Sequence, residues 1–217
     1  MSRLPRLENW RDALALCLLL VALQQLSSAG YIHLKAGLAQ VLIERAWDKT
    51  LLMNGTGVKP WPWADTWPVA RLRIRSQAQE LYVLTGSRGN ALAFGPGYDS
   101  ASAPFGSVGT TVIGGHRDTH FSFLQNIQDG ELLQVELASG EVLQYQVVAR
   151  TVVDTDSTPG VVANLSLDEL VLVTCYPFDA VLPGGPLRFV VTSHRYPQPD
   201  WDSNRPEPSP ESGVYAL

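Results

Sequence analysis

The sequence predicts an all-β domain, a closed or nearly closed barrel of about seven to eight short strands with short helices, that follows an N-terminal membrane helix. Three observations lead to this fold class. Short apolar segments separated by polar or Gly-rich turns run from residue 69 to residue 192. The chain has 15 prolines and 18 glycines, which interrupt helices and favour short strands with loops. Residues 13–34 contain no Asp, Glu, Lys or Arg, which is typical of a membrane segment.

The N-terminal segment predicts an anchor and its orientation. Residues 1–12 contain three arginines, which predicts a cytoplasmic N-terminus ahead of a signal anchor at 13–34. At about 1.5 Å per residue this anchor spans roughly 33 Å as a helix, enough for a bilayer core of about 30 Å. A cleaved signal peptide is the alternative, because residues 27–30 read Ser-Ser-Ala-Gly. Both interpretations place the following domain outside the cytoplasm.

Residues 35–67 are predicted to connect the anchor to the barrel. Helical spacing continues from residue 31 to residue 47, so this part either extends the membrane helix or lies along the membrane surface. Four apolar side chains share one face of it, Leu34, Leu38, Val41 and Leu42, and Ala46 is a fifth candidate for that face. Residues 59–68 hold three prolines and three tryptophans, which predicts a loop that packs on the domain or lies at the membrane interface.

The barrel domain is predicted to occupy residues 68–195. Seven strands account for its apolar segments: Val69–Ile74, Leu81–Leu84, Thr110–Ile113, Glu131–Leu137, Val142–Val153, Leu170–Thr174 and Leu187–Thr192. Short helical turns are predicted at 91–95 and 121–127. Residues 196–217 carry five prolines and an acidic excess, which predicts a disordered tail.

The overall charge excludes one class of partner. The formal net charge is −5 and the isoelectric point is about 5.3. A domain that binds nucleic acid needs a basic surface to contact the phosphate backbone. We therefore expect no nucleic acid among the partners of this protein.

The most informative residue is Cys175, because the other cysteine, Cys17, lies in the apolar N-terminal segment. A lone thiol in an exported domain is unusual, since oxidising compartments favour disulfide pairs. Cys175 follows the apolar strand 170–174 directly, and Pro177 comes soon after it. A side chain at a strand end can project from the rim of a sheet into a cleft. The alternative is a buried cysteine that acts as a small apolar side chain.

Two other polar residues also lie at strand ends. His116 follows the strand 110–113, and Arg188 begins the last apolar strand, thirteen residues after Cys175. Amide chemistry by cysteine needs a thiolate, an imidazole that takes and returns a proton, and donors for the charge on the carbonyl oxygen. The backbone N–H of Tyr176 is a candidate second donor beside the guanidinium. This set suggests a cysteine transpeptidase or hydrolase.

His116 and His120 could instead suggest a metal site that includes Cys175. Two histidines four residues apart share a face only on a helix, whereas the preceding Gly-Gly pair indicates a turning backbone. A zinc site also needs three or four ligands. We therefore expect no metal. Asp118 is two residues from His116, so we expect it to stabilise the turn rather than to orient the imidazole. Arg117 could cap this turn or pair with Asp118, and we expect no catalytic role for it.

These segments resemble the sortase family. The strand that ends in Leu-Val-Thr-Cys at 172–175, the arginine thirteen residues later and the segment Gly-His-Arg-Asp-Thr-His-Phe at 115–121 occur in the order found in that family. The resemblance covers about residues 68 to 195, the whole predicted barrel. The Tyr-Pro-Phe sequence after the cysteine is similar to classes D and E. The Trp/Pro-rich segment resembles the proteobacterial class GN group.

The resemblance implies a sortase-like β-barrel and a cysteine transpeptidase that needs no cofactor. It implies that Cys175 is the nucleophile, His116 the general acid and base, and Arg188 the group that stabilises the oxyanion. Thr174 and Tyr176 would bind substrate. The implied partners are an exported protein with a C-terminal sorting motif, often Leu-Pro-x-Thr-Gly-like, and an amine acceptor of the envelope. The implied location is the inner membrane, with a single pass and the catalytic domain on the periplasmic side.

Two other functions stay open on the sequence alone. One is an exported thiol hydrolase, in which water resolves the acyl-enzyme, and product analysis with an added amine separates it from a transpeptidase. The other is a membrane-anchored β-domain without activity, in which Cys175 is buried and inert. Slow modification of Cys175 by a small alkylating reagent would favour that second function.

Overall fold

A barrel follows one long helix in this computed structural model. The described residues are 10–53, 55–87, 89–157, 164–180 and 184–197. Helix α1 spans Trp10–Leu52 without a break, so its 43 residues extend about 65 Å at 1.5 Å per residue. The predicted cytoplasmic segment 1–12 and the predicted tail 196–217 fall mostly outside the described residues.

The barrel confirms the predicted all-β fold class. In the described part of the chain it has eight strands: β1 (Pro68–Ile74), β2 (Gln79–Thr85), β3 (Gly97–Tyr98), β4 (Gly109–Gly114), β5 (Leu132–Leu137), β6 (Val142–Asp154), β7 (Asp168–Cys175) and β8 (Leu187–Arg195). They close in the order β1-β2-β3-β4-β7-β8-β6-β5. The short helical elements are α2 (Asn90–Phe94) and 3₁₀ turns at Arg75–Gln77 and Ser122–Asn126.

All seven predicted strands are present, and their ends differ from the prediction by at most three residues. Both predicted helical turns are present too. The strand that the sequence did not reveal is β3, since two residues are too few to show a period. Gly97 of β3 packs so closely that a Cβ atom there would meet the carbonyl oxygen of Gly86 at 2.2 Å. The chain therefore needs a glycine at this position.

Alternation along the strands builds the core. In β1, Ala70, Leu72 and Ile74 are fully buried, while the residues between them are half-buried. Leu133 of β5 and Leu143 of β6 are fully buried in the same cluster. Burying an apolar side chain of this size contributes about 1.5–3 kcal/mol. The repeated burial on one face of each strand therefore holds the barrel closed.

The last turns of α1 pack against the outside of the barrel. The face that packs consists of five buried residues: Ala39, Ile43, Ala46, Trp47 and Thr50. Ile43 packs with Leu84 of β2 and with α2. The amide nitrogen Nε2 of Gln40 donates a hydrogen bond to the carbonyl oxygen of Phe94, at 2.7 Å. The connector is therefore the end of α1 together with the Trp/Pro-rich loop, and the loop contributes Trp61, whose ring lies 5.1 Å from that of Phe94.

Residues 31–47 are helical, and the structure has the first of the two alternatives that the sequence left open for them. Helix α1 runs through residue 35 without a break, so this part extends the N-terminal helix. The apolar face named from the sequence is largely exposed, with Leu34 at 76% and Leu38 at 59%. A different face of α1, with small residues and Trp47, packs against the barrel.

Candidate active site

The pairing of β4 with β7 brings His116 to the same rim as Cys175. These two strands are parallel neighbours, with Gly114 opposite Val173. Because the carboxyl ends of parallel strands meet at the same edge of a sheet, the residues that follow β4 lie beside the end of β7. The backbone N–H of Gly115 donates to the carbonyl oxygen of Val173, at 3.0 Å, and extends this pairing by one residue. The strand pairing therefore explains why two residues 59 positions apart share a site.

The buried side chain of Phe121 packs against the loop that carries His116. Phe121 is fully buried, and its backbone N–H donates to the carbonyl oxygen of His116, at 3.0 Å. A Cβ atom at Gly115 would meet the ring of Phe121 at 2.6 Å, so a glycine is required there. The imidazole of His116 is exposed. The histidine thus lies on a fixed backbone with its ring open to solvent.

Cys175 and His116 line one small cavity. Its volume is about 130 Å³, and Arg117, Tyr176 and Pro177 also contribute to its wall. Cys175 is a free, half-buried cysteine. A thiol in this position can be reached by a peptide that enters the cavity and is partly shielded from bulk water. The cavity therefore has the two groups needed to form an acyl-enzyme.

Arg188 lies directly across from Cys175. The two residues are partners in the antiparallel pairing of β7 with β8, so their Cβ atoms are about 4.5–5.5 Å apart. The Nη1 atom of Arg188 donates to the carbonyl oxygens of Gly185, at 2.6 Å, and Leu187, at 2.9 Å. Among the described residues, Arg188 is not part of the cavity wall. Arg188 is therefore the strand partner of Cys175, while its guanidinium is bonded to the carbonyls of Gly185 and Leu187.

Tyr176 lines the cavity, but its backbone N–H is already bonded. That N–H donates to the carbonyl oxygen of Leu187, at 3.0 Å. The expectation that it serves as a second donor to an oxyanion is therefore not met in this structure. The aromatic ring of Tyr176 lies 6.2 Å from the ring of Phe189 and nearly parallel to it. Its role in substrate binding stays a prediction that concerns the side chain alone.

Thr174 is buried under the site rather than in the cavity wall. It is 2% exposed, and its Oγ1 donates to the carbonyl oxygen of Gly115, at 2.8 Å. This bond joins β7 to the residue before His116. The prediction that Thr174 contacts substrate stays untested, and the geometry assigns it a contact with the histidine loop.

Thr174→Val is expected to lower the free energy of unfolding by about 1–3 kcal/mol, because it leaves the carbonyl oxygen of Gly115 without its donor. Thr174→Ser keeps the hydroxyl and is the matched control. Thermal or urea unfolding of the three proteins measures the difference. Equal stability of the valine variant and the natural protein would show that the bond contributes nothing.

The residues next to His116 form one contact that the sequence analysis offered and others that it did not. The predicted pairing of Arg117 with Asp118 is present, with Nε of Arg117 donating to Oδ1 of Asp118 at 2.8 Å. This hydrogen bond, opposed by burial, lowers the pKa of the Asp118 carboxyl from its ordinary value. Burial, followed by the charge of His116, lowers the pKa of His120. Arg117 also donates hydrogen bonds to the carbonyl oxygens of Pro177 and Ala180 in the loop after Cys175. No local sequence pattern predicts this contact.

Comparison with known proteins tests the resemblance. The family model described as the sortase domain matches residues 72–196. Sortase D of Bacillus subtilis (strain 168) is 33% identical over 124 residues, which are 57% of this chain and 62% of that protein. The chain thus matches less than two thirds of the length of this relative.

Solved structures show the same fold. A Clostridium perfringens Sortase D5 transpeptidase superposes with a TM-score of 0.56 at 17% identity, over 73% of this chain and 96% of that one. Sortase A from Corynebacterium diphtheriae superposes with a TM-score of 0.55 at 23% identity, over 77% and 88%. At these identities the likeness is one of fold. Together with the family model, which covers more than half of the chain, it shows that the chain belongs to the sortase family.

Proposed function

We propose that this protein is a membrane-anchored cysteine transpeptidase. It cleaves a C-terminal sorting motif of an exported protein and passes the new carboxyl end to an amine. The observation that carries this proposal is the shared cavity of Cys175 and His116 at the ends of two parallel strands, with Arg188 opposite the cysteine. Membership of the sortase family supports the same chemistry.

The first half of the reaction forms a thioester. The thiolate of Cys175 attacks the carbonyl carbon of the scissile amide, and the carbonyl oxygen becomes negatively charged. Arg188 donates hydrogen bonds to that oxygen, which requires its guanidinium to exchange its bonds to Gly185 and Leu187 for bonds to substrate. The protonated imidazole of His116 gives a proton to the leaving nitrogen, and the C–N bond breaks. The downstream peptide leaves as an amine.

The second half reverses these steps with a new amine. The acceptor amine attacks the thioester carbon and loses its proton to the imidazole of His116. The C–S bond breaks, and the thiolate of Cys175 is restored. If water attacks instead, the same intermediate gives a free carboxylate, which is the hydrolase alternative. Because the thiol is half-exposed and His116 is exposed to solvent, either an amine or water can reach the thioester. The product therefore depends on which of the two attacks.

The experiment that tests the proposed function captures the intermediate. The full chain in detergent is mixed with peptides of the Leu-Pro-x-Thr-Gly type, and mass spectrometry measures the mass of the peptide that contains Cys175. We expect a thioacyl adduct on Cys175, and with added triglycine a new amide product. Free carboxylate alone in the presence of triglycine would identify a hydrolase. Ready alkylation of Cys175 without any adduct from a full motif library would contradict the proposal.

The anchor is part of this proposal. The segment Trp10–Ser27 is long and apolar enough to cross a membrane, and none of it is buried within the chain. The arginines that precede and open it orient the N-terminus toward the cytoplasm. The catalytic domain then faces the periplasmic side of the inner membrane. Because α1 continues to its packed end at Thr50, anchor and barrel are joined by a helix rather than by a flexible linker.

We expect the full chain to stay in the membrane pellet after alkaline carbonate extraction, since a largely apolar helix of 18 residues in a bilayer holds a protein against this treatment. Intact mass spectrometry of the pellet separates an anchor from a signal peptide that is cleaved near residue 29. Release of the uncleaved chain into the supernatant would contradict the anchor.

A further inference from the structure

Arg117 is a buried cation that connects the two loops of the site. It is 7% exposed and is the one arginine that is buried in the described part of the chain. It follows His116 directly. Its Nη1 donates to the carbonyl oxygen of Pro177, and its Nη2 donates to that of Ala180 at 2.8 Å. One guanidinium therefore holds two points of the loop that follows Cys175.

Asp118 holds this guanidinium in place from the solvent side. Its Oδ1 accepts from Nε at 2.8 Å and its Oδ2 accepts from Nη2 at 3.4 Å. Burying a guanidinium is unfavourable unless its charge is paired and its N–H groups are bonded. Here a carboxylate and two carbonyls meet both needs. The hydrogen bond to Asp118 is the main reason that the pKa of Arg117 is raised, so it stays charged.

This arrangement joins the loop that carries the histidine to the loop that follows the thiol. His116 lies on one loop and Cys175 lies at the start of the other, and both line the cavity. The strands join the loops at Gly115, and Arg117, which lies in the cavity wall, joins them again at Pro177 and Ala180. Two separate connections prevent the loops from moving apart by rotation about the first one. The contact at Pro177 and Ala180 also holds the wall against which a peptide would lie.

We propose that Arg117 is a positioning residue that aligns the imidazole of His116 with the sulfur of Cys175 by tying the histidine loop to the loop after the nucleophile. This inference rests on the proposed function, because alignment matters only if the two groups share a proton. A misplacement of about 1 Å can cost about 100-fold in rate in such a pair. A lysine at position 117 keeps the charge, but an ammonium lacks the planar fork that reaches two carbonyls and a carboxylate together.

The test needs no substrate, because it uses alkylation of Cys175 by iodoacetamide at pH 7 in the full chain. Mass spectrometry of the peptide that contains Cys175 gives the rate. The experiment is a double-mutant cycle of four proteins: the natural chain, His116→Gln, Arg117→Lys and the double variant. We expect each single change to slow alkylation by about 10-fold, because a thiolate needs its aligned imidazole. We expect the double variant to be within about twofold of either single variant, since both remove the same alignment.

The matched control is Arg150→Lys. Arg150 likewise donates from Nε to a carboxylate, that of Asp129, and from Nη1 to a backbone carbonyl, that of Ile127, both at 2.8 Å. It does not line the cavity. We expect this control to alkylate at the rate of the natural protein. A loss in the control equal to that in Arg117→Lys would assign the effect to general loosening and overturn the proposal.

A second variant tests the same inference if Arg117→Lys fails to fold. Asp118 is 69% exposed, so Asp118→Asn keeps the fold while it weakens the hold on the guanidinium. We expect it to slow alkylation about threefold and, with a peptide that is turned over, to lower kcat with little change in KM. Three outcomes would overturn the inference. The effects of His116→Gln and Arg117→Lys could be additive in the double variant, Arg117→Lys could alkylate faster than the natural protein, as an unfolded chain does, or Arg117→Lys and Asp118→Asn could both alkylate at the natural rate. Failure of the proposed function gives a different result. In that case the four alkylation rates still show the expected non-additive pattern, while no thioester forms with any peptide.

Discussion

Replacing Cys175 by alanine is expected to reduce peptide transfer by at least about 10⁴-fold, because the thioester cannot form without the sulfur. Among the described residues that form the cavity wall, Cys175 is the sole thiol, and the adjacent hydroxyl in β7, that of Thr174, is buried and bonded to Gly115. The measurement is the rate of amide product with triglycine, normalised to folded protein by thermal unfolding.

The matched control is Cys17→Ala, which removes the other cysteine. Cys17 lies within α1, far along the chain from the barrel, and is exposed. We expect full transfer activity and a normal thioacyl adduct from this variant. If Cys175→Ala kept a tenth of the natural rate, Cys175 would not be the nucleophile. The cavity that it shares with His116 would then not be the active site.

Replacing Arg188 by lysine is expected to lower kcat by about 10²–10³-fold, the usual effect of losing a donor to an oxyanion. The lysine keeps the positive charge but not the fork, so it cannot bond the oxyanion and the substrate backbone together. The partnership of Arg188 with Cys175 across β7 and β8 places any replacement at the same point. We therefore expect KM to change less than kcat.

Arg195→Lys is the control for this prediction. Arg195 ends the same strand at its opposite end, where its guanidinium lies 5.6 Å from the ring centre of Tyr145. We expect this variant to keep the natural kcat. Full turnover by Arg188→Lys would show that charge alone is enough and that the proposed two-point bonding by Arg188 is wrong.

Chain-local patterns were enough to locate the strands of the barrel. Alternation in β1 and the apolar run in β7 are visible in the sequence because they follow from which side chains must be buried. The two-residue strand β3 has no such pattern, and its existence depends on its neighbours β2 and β4. The helical spacing of 31–47 correctly predicted a helix. Which face of that helix contacts the barrel could not be predicted, because hydropathy does not distinguish a face that meets the barrel from a face left exposed.

Three features could be predicted from residue patterns alone: the family, the strand-end positions of Cys175, His116 and Arg188, and an apolar segment long enough for an anchor. Those features depend on residue type and on neighbours within a few positions. Three further features became visible only in the folded chain: β4 runs beside β7, the N–H of Tyr176 is bonded to Leu187, and Arg117 donates to the carbonyls of Pro177 and Ala180. These contacts join residues that are far apart in the chain. Their geometry follows from barrel closure, which no short stretch of sequence encodes.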